Sequence, residues 1–301
     1  MTARPTRLFV LPCDHRDILR DCWSSYRPSG FVDGDQWITY AKQLILDGLL
    51  WAVERGADIG EVALLMDEEL GAPVLERARD MGITRFVPTD DGTVGPYVLQ
   101  YAGDFAEHIR SIDPDYVQTL INYNPSSPEA PTQMAAIQPL LDWLGANPRP
   151  MMLELQVLPT DTQLEEHGRE AFIRDIRPGL MRQAIADFHA HGANPDVWKV
   201  EPLPDPAEYS SIVSAIRSNG GSHAVAVVLG GGASVEDVDA SIELCAGVDG
   251  FVGFAVGRSV WAAGIEQKAR GEISAAEATK LIGETFLHFV QVYVAAQSVT
   301  A

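Results

Sequence analysis

The chain has 301 residues, with 22 Lys+Arg against 42 Asp+Glu, a net charge of −20 and a pI near 4.6, which argues against nucleic acid or an anionic membrane as its main partner. With 46% hydrophobic residues, 21% charged residues and six Trp, the composition supports a packed core and excludes disorder as the main state. No apolar run approaches the ~18 residues of a membrane span, Met1-Thr2-Ala3-Arg4-Pro5 lacks signal-peptide anatomy, and Cys13, Cys22 and Cys245 form no disulfide framework, which fits a reducing cytoplasm.

In chain order, short apolar runs predict strands at Leu8–Cys13, Ile59–Met66, Thr84–Val87, Tyr116–Asn122, Met151–Val157, Asp196–Glu201, His223–Leu229 and Gly250–Val256. Helical patterns lie between them at Asp35–Arg55, Pro73–Met81, Asp104–Ile112, Thr132–Leu144, Pro178–His191, Pro206–Arg217 and Ser234–Cys245, and Ser274–Gln297 closes the chain. Ala41, Ile45, Gly48, Leu49 and Ala52 form one buried stripe of the first helix. Ser234 before Glu236 and Asp237, and Ser274 before Glu277, are helix-start signals. Eight β-then-α units imply parallel strands with right-handed crossovers, and no linker interrupts them. The expected architecture is α/β, a (β/α)8 TIM barrel. It is read as a single domain over residues 1–301, since such barrels run to about 250 residues or more. The longest irregular stretches, Asp90–Tyr101, Pro125–Thr132 and Pro159–Arg177, all follow strands and so belong to the face that carries barrel active sites.

Strand parity then sorts the side chains. Met151, Leu153, Leu155 and Val157 share one parity, and Met152, Glu154 and Gln156 the other. Trp198 and Val200 oppose Val197, Lys199 and Glu201, while Gln118 and Asn122 share a side in the fourth strand. With the apolar parities under the helices, Glu154, Lys199, Glu201, Gln118 and Asn122 point to the barrel axis. Parallel strands covered on both faces are normally apolar throughout, so this polar set requires a reason. Lysine is scarce: of Lys42, Lys199, Lys268 and Lys280, only Lys199 falls in a strand, and the others sit in helix patterns where a solvated lysine is routine. Lysine, unlike arginine, can release its proton when desolvated and become a nucleophile; a structural ion pair with Glu201 or Glu154 explains the same residue equally well.

Asp14, ending the first strand, reads as a helix N-cap for Ile18 onward or as an acid–base group, with Arg16 beside it as a fork for an anion. Asp67, Glu68 and Glu69 read as a solvated acidic loop in which Asp67 is the best candidate for a polar site role. Gly230, Gly231 and Gly232 after the seventh strand, with Gly257 and Arg258 after the eighth, occupy the positions where TIM barrels hold phosphate. Tight turns account for each glycine group separately. No dinucleotide or P-loop pattern fits these glycines, no GxSxG elbow is present, and His15, His167, His189 and His191 lack metal-ligand spacing, the last two reading as solvated.

Pro12-Cys13-Asp14-His15-Arg16, Met66-Asp67-Glu68, Leu153-Glu154-Leu155, Asp196-Val197-Trp198-Lys199-Val200-Glu201, Val228-Leu229-Gly230 and Gly253-Phe254-Ala255-Val256-Gly257-Arg258 occur in that order. Together they resemble the aldolase-like domain found fused behind bacterial 5-dehydro-2-deoxygluconokinase in myo-inositol breakdown. More distantly the chain is similar to tagatose-1,6-bisphosphate and sulfofructose-phosphate aldolases. The resemblance spans nearly the whole chain, with no kinase half expected. It implies a class I aldolase, a lyase needing no metal or cofactor, with Lys199 as Schiff-base lysine, Glu154 as proton-transfer carboxylate and Asp14 assisting. Arg258, Gly230 and Gly257 would hold the phosphate, with Gly231, Arg16, Asp67, Gln118 and Glu201 as further substrate contacts. The implied reaction cleaves 2-deoxy-5-keto-gluconate 6-phosphate to dihydroxyacetone phosphate and malonate semialdehyde. Another ketose phosphate, or a barrel that binds a sugar phosphate without turnover, are the alternatives, and a homo-oligomer is left open. The chain departs from these relatives in two places. Gln118 stands where they commonly carry lysine, and Pro88-Thr89-Asp90-Asp91-Gly92 is more acidic; both remove positive potential from the mouth.

Overall fold

The computed structural model describes residues 5–14, 16–92, 95–219, 221 and 223–300. Strands β1 (Leu8–Pro12), β2 (Val62–Leu65), β3 (Thr84–Pro88), β4 (Tyr116–Asn122), β5 (Met151–Gln156), β6 (Val197–Val200), β7 (Val225–Leu229) and β8 (Phe251–Ala255) form a closed barrel in sequence order. Pairing is parallel, as in β1 with β2, β5 with β6 and β1 with β8. The (β/α)8 TIM barrel expected from the alternation is therefore the observed fold. The helices are α1 (Arg16–Tyr26), α2 (Gly34–Val53), α3 (Glu68–Asp80), α4 (Phe105–Ile112), α5 (Ala130–Ala146), α6 (Asp161–Ala171), α7 (Arg177–Ala190), α8 (Pro206–Arg217), α9 (Val235–Ala246), α10 (Arg258–Ala269) and α11 (Ala275–Thr300). None of the described helices is long and apolar enough to cross a membrane.

Packing divides the chain into two compact units. One comprises residues 1–6, 88–229 and 244–252, the other 7–87, 230–243 and 253–301. In the first, Ile109, Val117 and Leu140 form a buried cluster between α4, β4 and α5, with Phe105 and Trp143 against it. In the second, α11 lies along α2 and α10. Its Phe286, Phe289 and Tyr293 are fully buried, the two Phe rings against Phe254 and Tyr293 edge-on to Phe9. Burying each such ring stabilises the fold by about 1.5–3 kcal/mol, and α11 buries these three rings within its own unit. Gly253, in β8, has φ +156°, and a Cβ there would lie 2.0 Å from the Leu8 carbonyl oxygen, so only glycine lets β8 close on β1 at this point.

Three expectations change. Helix α3 starts at Glu68, not at Pro73, because Asp67 accepts from Leu70 N at 3.0 Å and caps the helix five residues earlier; Pro73 is carried inside it. The stretch Pro159–Arg177 is not irregular. It holds α6, opened by a Thr160–Gln163 capping box, and a π-turn over Phe172–Ile176. Helix α6 buries no residue and Gly168 breaks it with φ 72°, so no apolar period betrays it. Helix α10 follows β8 directly, before the closing helix. The Ser234 and Ser274 caps form as read, to Asp237 N and Glu277 N, each at 3.2 Å.

Candidate active site

Glu154 on β5 and Lys199 on β6 are direct partners in the parallel ladder, so their side chains leave the sheet on one face. Trp198, of the other parity, packs edge-on against Phe188 and His189 of α7, which fixes that face as the helix side. Lys199 Nζ donates to Glu154 Oε2 at 2.6 Å, and both side chains are 6% exposed. Gln118 Nε2 on β4 donates to the same oxygen at 3.2 Å, and Gln156 Nε2 donates to Oε1 at 3.1 Å. A buried carboxylate without partners would cost several kcal/mol; here three donors surround it. Of the two ion-pair partners that the sequence offers for Lys199, the one the structure shows is Glu154.

Glu201 does not join this group. Strand β6 ends at Val200, one residue before Glu201, and the hydrogen bonds of Glu201 go to other partners. Its Oε1 accepts from Arg177 Nη1 at 2.8 Å and its Oε2 from Val157 N at 2.7 Å, while Arg177 Nη2 donates to Pro202 O at 2.6 Å. Burial raises the Glu201 carboxyl pKa, against the opposing pull of Arg177 and the Val157 N–H. The sequence gives no local signal for Arg177, which lies 24 residues from Glu201. The sequence signal for Gln156 is its shared parity with Glu154, two residues before it. His189 is buried against Trp198 rather than solvated, and burial lowers its pKa.

Above Gln156 in the same unit, a cavity of ≈ 580 Å³ opens at the ends of β4 and β5. Asn122, the ladder partner of Gln156, lines it from β4, and Asn124, Thr160 and Asp161 line it from the loops. Lys199 and Glu154 are not in its wall.

The second unit carries the remaining expected residues. Asp14 is half-buried just beyond β1; His15 and the side chain of Arg16 lie outside the described residues. Asp67 is fully buried, not part of a solvated loop. Its Oδ1 meets Lys42 Nζ, which also donates to the Cys13 carbonyl, and Lys42 is itself 0% exposed. The solvated reading of Lys42 therefore fails too. Around this pair, burial pushes the Cys13 thiol up to about 12. Arg258 and the glycine turn do come together: Arg258 Nη2 donates to Gly231 O at 2.8 Å, and Ser259 Oγ to Ala233 O at 2.7 Å. Gly257 precedes α10 with no side-chain cap. A Cβ on Gly257 would sit 2.4 Å from Pro12 O, and one on Gly230 2.8 Å from Val256 Cγ1, so both glycines have a packing reason as well.

These features define a closed parallel (β/α)8 barrel with a buried lysine–glutamate pair on adjacent strands. Solved structures of the same fold include an archaeal fructose 1,6-bisphosphate aldolase, at 15% identity and a TM-score of 0.56 over 95% of this chain and 96% of that one. Another is the Schiff-base-forming fructose-1,6-bisphosphate aldolase solved in its reaction intermediates, at 16% identity and a TM-score of 0.55 over 94% and 95%. At such identity the likeness is one of fold. No curated protein matches the sequence. The chain belongs to the DUF2090 family, described as an uncharacterized protein conserved in bacteria, which matches residues 1–297.

Proposed function

We propose that this protein is a class I aldolase, a metal-independent lyase of the cytoplasm, in which Lys199 forms a Schiff base with a phosphorylated keto sugar. The observation that carries the reading is the 2.6 Å contact between Lys199 Nζ and Glu154 Oε2, inside the barrel and braced by two amides. Two aldolases of the same fold, one of them Schiff-base-forming, support it, and the free thiols of Cys13, Cys22 and Cys245 suit the compartment.

The chemistry starts from the hydrogen bond that Lys199 Nζ donates to Glu154 Oε2. Passing its proton from Nζ to Glu154 leaves a neutral amine, whose lone pair adds to the substrate carbonyl carbon. The carbonyl oxygen, protonated by Glu154, leaves as water and an iminium remains. The hydroxyl two carbons away then gives up its proton, and the carbon–carbon bond breaks toward the iminium. An aldehyde departs and an enamine stays on Lys199. Protonation of the enamine carbon, followed by addition of one water, returns the amine and releases dihydroxyacetone phosphate. Glu154 serves each proton transfer because it touches the reacting nitrogen. Asp14 is assigned an assisting role and Arg258, with Gly230, Gly231 and Gly257, a phosphate-binding one. Candidate substrates are 2-deoxy-5-keto-gluconate 6-phosphate and another ketose phosphate, of the tagatose-bisphosphate or sulfofructose-phosphate type.

The test is exchange of the C3 protons of dihydroxyacetone phosphate in D2O, followed by NMR with EDTA present. Stereospecific loss of one proton signal is the expected result, and no exchange above the buffer rate contradicts the reading. A second reading, a sugar-phosphate-binding barrel, is favoured by the absence of Lys199 from the cavity wall; it predicts ligand binding with no exchange.

A further inference from the structure

Lys199 has two buried carboxylates near it and pairs with one. Glu201 follows it by two residues, so their Cα atoms lie at most about 7 Å apart, a gap that a lysine and a glutamate side chain can close. Glu154 is near enough to Glu201 for the two carboxylates to repel each other. Lys199 nevertheless donates to Glu154, while Glu201 turns to Arg177 at the start of α7. On its other side Lys199 has Val227 of β7 as ladder partner, which brings no charge.

The local backbone explains where Glu201 goes. The β5–β6 ladder pairs up to Leu155 and Val200, and Pro202 has no N–H with which to extend it. Val157 N donates instead to a side chain, Glu201 Oε2, at 2.7 Å. Arg177 spans Glu201 Oε1 at 2.8 Å and Pro202 O at 2.6 Å with the two ends of its guanidinium. Tyr209 of α8, which also feels the Arg177 charge, accepts from Leu203 N. Arg177 and Glu201 are 8% and 12% exposed at their side chains, so water does little to replace either partner. A Glu201 stripped of Arg177 would have Lys199, two residues back, as the nearest lysine along the chain. An amine between two carboxylates gives up its proton less readily and is a poorer nucleophile.

We propose that Arg177 is a positioning residue for the Schiff-base step: by binding Glu201 it keeps a second carboxylate off Lys199, so that the amine answers to Glu154 alone. This rests on Lys199 being the nucleophile of the aldolase reading.

The test is reductive methylation with formaldehyde and cyanoborohydride at pH 8, with the rate at Lys199 read by peptide mass mapping against exposed Lys280. Arg177→Met is expected to slow labelling of Lys199 about tenfold, its pH profile moving up by about one unit. Arg177→Lys, which keeps the charge, and the double variant Arg177→Met/Glu201→Gln, which removes the second carboxylate, are both expected to label within about twofold of the parent. Arg177→Gln keeps a donor for Glu201 without the charge and carries the same expectation as Arg177→Met should that variant not fold. A purely structural role would loosen the fold and speed labelling of Lys199 and of buried Lys42. Faster or unchanged labelling in the uncharged variants, a slow rate that persists in the double variant, or no labelling of Lys199 in the parent overturns the proposal. Formaldehyde labels an amine whether or not the protein is an aldolase, so failure of that reading shows differently, as the expected labelling order with no deuterium exchange into dihydroxyacetone phosphate.

Discussion

Arginine in place of Lys199 is expected to abolish deuterium exchange into dihydroxyacetone phosphate, a loss of about 10⁴-fold or more. Arginine keeps a positive charge opposite Glu154, so the buried carboxylate retains a partner, but a guanidinium does not release its proton and cannot become the nucleophile. That choice matters because Lys199→Met would leave Glu154 uncompensated among buried strands, at about 3–5 kcal/mol, and would confound chemistry with folding. The double variant Lys199→Met/Glu154→Gln removes both charges together and is expected to unfold near the parent's urea midpoint while being equally inactive. Circular dichroism and urea unfolding report the fold, and the exchange rate reports the chemistry. If Lys199→Arg keeps more than a tenth of the parental rate, Lys199 is not the nucleophile.

The largest effect on stability is expected at Lys42. Its ammonium reaches Asp67 and the Cys13 carbonyl with neither Lys42 nor Asp67 exposed. Lys42→Met strands a buried carboxylate and is expected to cost about 3–5 kcal/mol, a large share of the roughly 5–15 kcal/mol typical of a folded domain. Adding Asp67→Asn should recover most of that loss, because asparagine carries no charge and still caps α3 through Leu70 N. Asp67→Leu in the same background would also lose the cap, at about 1 kcal/mol more. Urea midpoints at constant slope order these variants. A Lys42→Met protein within 1 kcal/mol of the parent would contradict the buried-pair account.

The strands were legible because parallel barrel strands are short, apolar and separated by helical periods, and most boundaries moved by only one to three residues. The Lys199–Glu154 pair was legible for a related reason. In a period of two, a lysine and a glutamate on the polar side of neighbouring strands have few places to go. Lys42 escaped because a lone lysine in a helix is usually solvated. Its spacing four after Ile38 and three before Ile45 puts it inside the apolar stripe, and that was the signal to weigh. Helix α6 escaped for the opposite reason: it buries nothing, so the period that marks a helix is absent. The Arg177–Glu201 pair joins the start of α7 to the end of β6 across 24 residues, and no local pattern encodes it. Gln118 was legible as an axial residue, but its unmet oxygen is a property of packing and appears only in three dimensions.

Borohydride reduction in the presence of dihydroxyacetone phosphate, followed by peptide mass mapping, bears most directly on the nucleophile. The expected result is a reduced adduct on the peptide containing Lys199, with the peptides containing Lys42, Lys268 and Lys280 unmodified. No adduct, or an adduct on one of those other lysines, would contradict it.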